Sequence, residues 1–436
     1  MERKREQLQV KKERAILVGA IHRMRRGGGF KKHDNLVELT ALVETAGAVV
    51  VDRFQQKIYR VNASTYIGKG KARMLCDRVE RFDADVIIFD NDLSPGQIRD
   101  LEEIIQTKVI DRSELILDIF ATRAQTRQAR LQVELAQLEY TYPRLTSMWS
   151  HLDRLAGGAA SGGVGTRGTG EKQLEIDKRL VNKRISELKR ELEGIDKRKL
   201  REIDGRGEMF KVGIVGYTNA GKSTLMNALT DAGVFVEDRL FATLDTRTKK
   251  WELEGSSKVL LSDTVGFVSN LPHQLVASFK ATLEEAVNAD LLIHVVDVST
   301  SEAFDQIKSV ESVLKEIGCE KKDMLVVLNK ADVLSESATL ESLQTIYPEA
   351  ICISAKTGMN LDKVAEAVLG KYHGSDVTVR VVADIGNGKL LSYLHANGRI
   401  ISTEYTDDHV VMEVSMGKSN LHMIKRLKPV EIAILG

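Results

Sequence analysis

The stretch from Gly216 to Ser223 reads Gly-Tyr-Thr-Asn-Ala-Gly-Lys-Ser, and it constrains the fold of this chain more than any other segment does. It matches G-x-x-x-x-G-K-[ST] and stands between a strand predicted over 212–215 and a helix predicted over 224–229. Glycines at both ends let the backbone wrap tightly, so that its N–H groups and the start of the helix face phosphate oxygens. The segment therefore predicts a P-loop in a doubly wound α/β domain. A tight turn before a helix is the structural alternative.

Three further motifs follow the P-loop in the order that a guanine-nucleotide site requires. Asp263-Thr-Val-Gly266 follows a strand predicted over 259–261, and Asn329-Lys-Ala-Asp332 follows one predicted over 325–328. The carboxylate of Asp332 can accept two hydrogen bonds from guanine, whereas adenine offers no such pair of donors. Ser354-Ala-Lys356 follows an apolar run over 351–353, and its backbone can meet the guanine oxygen. The chain is therefore predicted to bind GTP and to hydrolyse it with Mg²⁺.

Each motif contributes to the predicted site. Lys222 would reach the β- and γ-phosphates, and Ser223 would bind Mg²⁺ together with Asp263, which acts through a water molecule. Asn329 would contact the guanine ring, and Lys330 would pack over the site. The predicted nucleotide-binding residues are Gly216, Tyr217, Thr218, Asn219, Ala220, Gly221, Lys222, Ser223, Thr224, Asp263, Gly266, Asn329, Lys330, Asp332, Ser354, Ala355 and Lys356.

The order of these motifs resembles that of the translation-factor-related P-loop GTPases over residues 212–371. That class carries a switch threonine between the P-loop and the D-x-x-G motif. Thr243, within the segment 241–245, is predicted to fill this role and to bind Mg²⁺; Thr246 and Thr248 are the alternatives. Lys222, Thr243 and Gly266, whose N–H would meet the γ-phosphate, form the predicted catalytic set.

Position 267 departs from the Ras-like pattern, in which a glutamine at this place orients the attacking water. Phe267 cannot hydrogen-bond water, so intrinsic hydrolysis is expected to be slow and to depend on groups from elsewhere in the chain or from a partner. A second detail is Asn219, which resembles the asparagine of potassium-dependent GTPases. The hypothesis is that Asn219 helps to hold K⁺ near the phosphates.

The pattern outside the P-loop region predicts a multidomain α/β protein, because 436 residues exceed what one hydrophobic core organises. Strands and helices alternate over 1–115 and predict a parallel α/β domain. One long helical run begins at Ser113, a second covers 171–203, and a glycine-rich segment lies between them. This pattern predicts an antiparallel hairpin over 116–206. The P-loop GTPase domain is predicted over 207–372, and a small α+β domain over 373–436. The residues expected on the packed face of the second long helix are Leu174, Leu180, Ile185, Leu188 and Leu192.

Three segments together resemble the HflX family of ribosome-associated GTPases along almost the whole chain. They are Tyr66-Ile-Gly-Lys-Gly-Lys71, the glycine-rich 162–171 and Phe241-Ala-Thr-Leu-Asp245. The resemblance implies an N-terminal α/β domain with a helical hairpin, a GTPase domain and a small C-terminal domain. It also implies binding to the large ribosomal subunit and dissociation of stalled or idle ribosomes, particularly under heat stress.

Basic residues beside glycine-rich backbone are the candidates for RNA contact, since net charge is only +1 and any RNA affinity must be local. The candidates are Arg25, Arg26, Lys69, Lys71 and, at the hairpin tip, Arg167. A solvated basic loop and a flexible turn are the plain alternatives. Two further functions stay open: an RNA-remodelling GTPase whose N-terminal domain uses a second nucleotide, and a regulator whose long helices dock protein partners.

The three cysteines, Cys76, Cys319 and Cys352, form neither a CxxC pattern nor an even set, which argues against disulfides and zinc. We therefore expect a cytoplasmic protein. The apolar run over 15–21 is predicted to be a strand, because Arg23, Arg25 and Arg26 stand where a signal peptide would be cleaved. Membrane association would be peripheral, and we expect a monomer that does not bind DNA.

Overall fold

The computed structural model describes residues 12–22, 36–157, 169–204, 209–230, 240–241, 247–253, 258–268, 285–300, 302–333, 338–374, 376–406, 408–417 and 420–435. The chain forms two compact units. The first comprises Met1–Glu193, Glu237–Leu244 and Leu271–Phe279, and the second comprises Gly194–Val236, Asp245–Asn270 and Lys280–Gly436. No helix within the described ranges is long and apolar enough to cross a membrane.

A parallel sheet of four strands, in the order β2-β1-β3-β4, organises the first unit. Its strands are β1 (Arg14–His22), β2 (Val49–Ile58), β3 (Val86–Phe89) and β4 (Lys108–Asp111), and its helices are α1 (Val37–Thr45), α2 (Lys69–Phe82), α3 (Pro95–Ile105) and α4 (Arg112–Arg123). The apolar run at the start of the chain is the inner strand β1, as predicted. β3 is buried along its whole length, which explains why its four residues are all apolar.

The helical run predicted from Ser113 onward is two helices and not one. α4 ends at Arg123, and the chain is not helical again until Arg127, where α5 (Arg127–Gly157) begins. α4 belongs to the core of the α/β domain, because Ile116 and Phe120 on it are almost fully buried. The prediction that the long hairpin helix opens at Ser113 is therefore wrong, since uniform helical spacing does not reveal a break of three residues.

The predicted hairpin consists of α5 and α6 (Thr169–Asp204), which run antiparallel. Ion pairs join them at Arg127–Glu191 (3.2 Å), Arg184–Glu134 (2.7 Å) and Lys189–Glu139 (2.9 Å). Leu188 and Leu192 are buried as predicted, but Leu180 is 59% exposed and does not belong to the packed face. The side chain of Leu174 lies outside the described residues.

A buried polar cluster ties α5 to the end of β4. The hydroxyl of Tyr140 on α5 donates to Asp111 Oδ1 at 2.6 Å, and Arg144 Nη2 lies 3.1 Å from Asp111 Oδ2. Glu114 lies beside this cluster, and burial, followed by the charges of Asp111 and Asp118, raises its pKa to about 7. A proton on Glu114 therefore favours the folded state at neutral pH.

The GTPase part of the second unit is a six-stranded sheet in the order β10-β9-β8-β5-β7-β6. Its strands are β5 (Lys211–Gly216), β6 (Arg247–Glu252), β7 (Lys258–Asp263), β8 (Leu291–Asp297), β9 (Asp323–Asn329) and β10 (Ile351–Cys352), and its helices include α7 (Lys222–Thr230), α8 (Ala303–Glu316), α9 (Ala338–Ile346) and α10 (Leu361–Gly374). All neighbours are parallel except β6, which pairs antiparallel with β7 at the edge. The doubly wound prediction is confirmed, and β6 is an addition to it.

The last part of the second unit is a four-stranded antiparallel sheet in the order β12-β13-β11-β14. It comprises β11 (Asp376–Asp384), α11 (Gly388–Asn397), β12 (Arg399–Tyr405), β13 (His409–Gly417), α12 (Asn420–Arg426) and β14 (Glu431–Ile434). The predicted small α+β domain is confirmed as a fold. The bounds of the four predicted domains remain a prediction.

Candidate guanine-nucleotide site

Backbone conformation builds the P-loop between β5 and α7. Gly216 has φ 153° and Gly221 has φ 93°, and a Cβ on them would strike the carbonyl of Val295 and the side-chain amide of Asn329. Asn219, with φ 61°, stands exposed at the crest of the loop. The spacing of the motif therefore reflects steric needs, since no side chain fits at either glycine.

Lys222 and Ser223 stand at the start of α7, where the loop becomes helix. The ammonium of Lys222 is buried and donates to the carbonyl of Tyr217 at 2.8 Å. Burial lowers the pKa of Lys222 to about 8, an effect that the carboxylate of Asp263 opposes. The hydroxyl of Ser223 donates to Asp263 Oδ2 at 2.6 Å. A hydroxyl oxygen beside a buried carboxylate is a donor set that fits Mg²⁺.

The D-x-x-G loop lies directly against the P-loop. The N–H of Phe267 donates to Gly216 O at 3.1 Å, and the N–H of Thr218 donates to Phe267 O at 2.7 Å. A Cβ on Gly266 would stand 2.7 Å from Cγ2 of Thr218 and 2.9 Å from Nζ of Lys222. Phe267 itself is 2% exposed. The two hydrogen bonds between the loops involve only backbone atoms, so they do not depend on which side chain stands at position 267.

Asn329 connects the P-loop with the Ser354–Ala355 segment. Its Nδ2 donates to Ala220 O at 2.8 Å, and its Oδ1 accepts the N–H of Ala355 at 2.9 Å. These two hydrogen bonds leave only the second hydrogen of Nδ2 for a guanine ring. The main role of Asn329 in the structure is therefore to join the two segments, and the predicted contact with the base comes second. Ser354 is fully buried, and its Oγ accepts the N–H of Thr357 at 3.2 Å.

The remaining residues of the base-recognition motif lie near the surface. Lys330 has φ 67° and forms an ion pair with Asp297 at 2.7 Å, with 29% of its side chain exposed. Asp332 is exposed in a short 3-10 helix (Ala331–Val333) and makes no hydrogen bond with a described residue. Its carboxylate is therefore accessible to a ligand. Lys356 is exposed as well.

The switch threonine has three candidates. Thr243 and Thr246 lie outside the described residues, as do Arg25, Arg26 and Arg167. Thr248, the third candidate, stands on β6, and its hydroxyl lies 2.9 Å from that of Ser262 in the same sheet. This contact gives the Thr248 hydroxyl a partner within the sheet, while Thr243 stays the prediction and Thr246 stays its alternative.

Phe241, two residues before Thr243, belongs to the first compact unit. It is 2% exposed and has φ 54°, which is strained for a bulky residue. Its ring meets that of Phe120 on α4 edge-on, with centroids 4.6 Å apart. The start of the predicted switch segment is thus anchored to the α/β domain, which the sequence did not reveal.

His294 is a second feature that motif matching missed. It lies on β8 with 1% exposure, and its Nδ1 has no partner among the described residues. Burial lowers its pKa to about 4, with a further contribution from the charge of Lys222. The sequence feature that could have revealed His294 is that it is the one titratable residue in the apolar run 291–296.

Comparisons with known proteins bear on these observations. Residues 33–121 match a family model described as GTP-binding GTPase N-terminal, 123–206 one described as GTP-binding GTPase Middle Region, and 211–330 one described as 50S ribosome-binding GTPase. The chain is 42% identical to the GTPase HflX of Lacrimispora saccharolytica over 400 residues, covering 91% of this chain and 92% of the relative. The chain belongs to the HflX family of GTPases.

A second relative agrees with this assignment. The GTPase HflX of Escherichia coli is 39% identical over 347 residues, which cover 79% of this chain and 80% of that one. A GTP-binding protein from Sulfolobus solfataricus, solved with GDP, is 26% identical and covers 82% of this chain and 98% of that chain, with a TM-score of 0.43. Membership of the family, together with the P-loop domain, makes this chain a GTP-hydrolysing enzyme.

Proposed function

We propose that this GTPase binds the large ribosomal subunit in its GTP-bound form and dissociates stalled or idle ribosomes, with hydrolysis resetting it. The observation that carries the proposal is the match of residues 211–330 to the 50S ribosome-binding GTPase model, within a chain similar to HflX proteins along most of its length. The hairpin of α5 and α6 supports it, because a long, thin element can reach into a cavity that a globular domain cannot enter.

In the proposed mechanism the P-loop residues bind and orient the nucleotide. Backbone N–H groups of residues 216–221 and the ammonium of Lys222 face the phosphates, while Asp332 accepts the guanine N–H groups. Ser223 would bind Mg²⁺, with Asp263 behind it and Thr243 as the second protein ligand. Mg²⁺ supplies neutralisation of charge on the β- and γ-phosphates.

The D-x-x-G loop is the proposed switch. In the structure it is held to the P-loop by the hydrogen bonds of Phe267 with Gly216 and Thr218. Binding of a γ-phosphate by the N–H of Gly266 would add a contact that GDP does not offer, and so bias this loop between two arrangements. A movement of Thr243 would also move Phe241, because only one residue separates the two in the chain. The ring of Phe241 would pass this movement to α4 through its contact with Phe120.

Slow intrinsic hydrolysis follows in this proposal from Phe267, which cannot orient water. A ribosomal group or a bound monovalent cation would then supply what the side chain lacks. Asn219, exposed at the crest of the P-loop, is the proposed K⁺-binding residue. Equal hydrolysis rates in sodium and potassium buffers of the same ionic strength would reject the K⁺ role.

RNA contact is proposed for Lys69 and Lys71 at the start of α2, and for Arg25, Arg26 and Arg167. Lys69 is exposed, whereas Lys71 is half-buried, with its Nζ 3.4 Å from Met74 Sδ and 5.9 Å from the centre of the Phe54 ring. Lys69 is thus the better placed of the two for a phosphate.

Sedimentation of ribosomes in sucrose gradients tests the proposed function. Idle ribosomes are incubated with the protein and GTP, GDP or a non-hydrolysable GTP analogue. We expect free subunits with GTP and with the analogue, and intact ribosomes with GDP or with the Lys222→Ala variant. Intact ribosomes in the presence of the analogue would refute the proposal that binding alone drives dissociation.

A further inference from the structure

The two helices of the C-terminal domain cover one face of its sheet. Leu390 and Leu394 on α11 and Ile424 on α12 are fully buried against β11 and β13. Alternate residues of the strands point to the other side of the sheet, as the pairing of Arg380 with Glu413 and of Val382 with Val411 shows. The domain therefore has two distinct outer surfaces, one made by helices and one by strands.

Asn387 brings the beginning of α11 next to the end of α12. Its Nδ2 donates to Leu427 O at 2.9 Å and to Lys428 O at 3.4 Å, and its Oδ1 accepts the N–H of Leu390 at 3.3 Å. One asparagine thus caps α11 and holds the chain that leaves α12. Basic residues near these two helix ends must lie in one region of the surface.

That region carries four exposed basic residues, which we name the cation cluster: Lys389, Lys425, Arg426 and Lys428. None of them forms an ion pair with a described residue, and neither α11 nor α12 contains an aspartate or glutamate. The nearest carboxylate upstream, Asp384, accepts the N–H of Gly386 at 2.7 Å. The cluster is therefore a patch of positive charge without compensation from its own helices.

The strand surface has the opposite character. Glu404, Glu413 and Glu431 stand at positions that alternate with buried ones, paired in register with Val411, Arg380 and Val382. Arg380 and Arg399 are the basic residues at the described positions of this surface. The small domain is thus polarised, with its positive side on the helices and most of its acidic side chains on the strands.

We propose that the cation cluster is an RNA-binding surface that contacts backbone phosphates of the large-subunit RNA. The inference rests on the proposed function, to which it adds a partner chemistry for the C-terminal domain. Four cations within one region attract a polyanion, and cations contact phosphates without reading sequence. The strand surface, where carboxylates outnumber arginines, would be repelled by the same phosphates.

The first test uses paired double variants of the full chain. Lys425→Gln/Arg426→Gln removes two charges from the cation cluster, and Arg380→Gln/Arg399→Gln removes two from the strand surface of the same domain. Binding to purified large subunits is measured with the non-hydrolysable analogue over a series of KCl concentrations. We expect the cluster variant to lose at least about tenfold in affinity and its salt slope to fall by about 0.7 to 0.9 per lost phosphate contact.

The strand-surface variant should bind large subunits with the affinity and the salt slope of the wild type. Both variants should hydrolyse GTP at the wild-type rate when no ribosomes are present. All four substituted residues are exposed, and circular dichroism melting checks that both variants are folded. Equal affinity and equal salt slope for the cluster variant and the wild type would overturn the inference, while wild-type binding would leave the proposed function standing.

A second arm uses protein-free large-subunit RNA in place of the subunits. A smaller salt slope for the cluster variant on this RNA, together with its weaker binding to subunits, supports the inference. Weaker binding of the variant to subunits but unchanged binding to RNA would identify an acidic protein as the partner and overturn it. Failure of the wild type to bind subunits at all would reject the proposed function separately.

Discussion

Acid should destabilise the GTPase part of this chain through one residue, His294. The imidazole is buried on β8, flanked in register by Val215 and Val326, and its pKa is lowered from 6.5 to about 4. The unfolded chain therefore takes up a proton on this histidine at a higher pH than the folded one does. Stability that is present above pH 6.5 is lost as the pH falls toward 4.

The size of this loss follows from the two pKa values. Between pH 7 and pH 5 the unfolded state gains about 2 kcal/mol relative to the folded state from His294 alone, with a limit of about 3 kcal/mol at lower pH. The nearby charge of Lys222 adds to the cost of protonation, because like charges repel in a buried site.

Urea unfolding measures the effect. Trp251 is 4% exposed in the GTPase core and serves as the fluorescence probe once Trp149 is replaced by phenylalanine. In that background, His294→Leu removes the titrating group, and His395→Leu removes an exposed histidine as the control. The free energy of unfolding of the parent minus that of His294→Leu should fall by about 2 kcal/mol from pH 7 to pH 5.

The same difference for His395→Leu, measured in parallel, shows how much of any change comes from removing an exposed histidine. A His294→Leu difference that stays constant, within about 0.5 kcal/mol, would show that His294 is not held neutral by its surroundings, and would refute the reasoning.

Three further outcomes are expected. Glu114→Gln should be more stable than the parent by about 3 kcal/mol at pH 8 and about equal at pH 4.5 in urea unfolding. The reason is that a carboxyl whose pKa is raised in the folded state contributes stability that is lost as the pH rises through 7. Asn329→Ala should cost about 2 to 4 kcal/mol and weaken GDP binding in calorimetry, because the carbonyl of Ala220 and the N–H of Ala355 lose their partner. Compared with the parent in competition assays, Asp332→Asn should bind GTP about ten- to hundredfold more weakly and xanthosine triphosphate more tightly. The reason is that an amide can donate to the xanthine oxygen that replaces the amine of guanine. Unchanged preference for guanine would contradict the assigned role.

Local sequence was enough to predict the nucleotide site in outline, since each of its motifs serves a short-range steric or chemical need. Gly216 and Gly221 are glycines because a Cβ would meet neighbouring atoms, and the apolar runs before Asp263 and Asn329 are buried strands whose carboxyl ends lie at one edge of the sheet. The same reasoning found β1, whose apolar run is buried along most of its length, and the α+β character of the C-terminal domain, where burial on β13 follows the two-residue period of a strand.

Tertiary structure alone decided which partners these residues have. Helical spacing continues through 124–126, so only packing could show that α4 belongs to the α/β core and that Leu180 faces solvent. The bracing by Asn329, the anchoring of Phe241 on Phe120 and the neutral state of His294 join residues far apart in the chain. Periodicity reports which face of an element is buried, but not which element buries it, and desolvation depends on that neighbour.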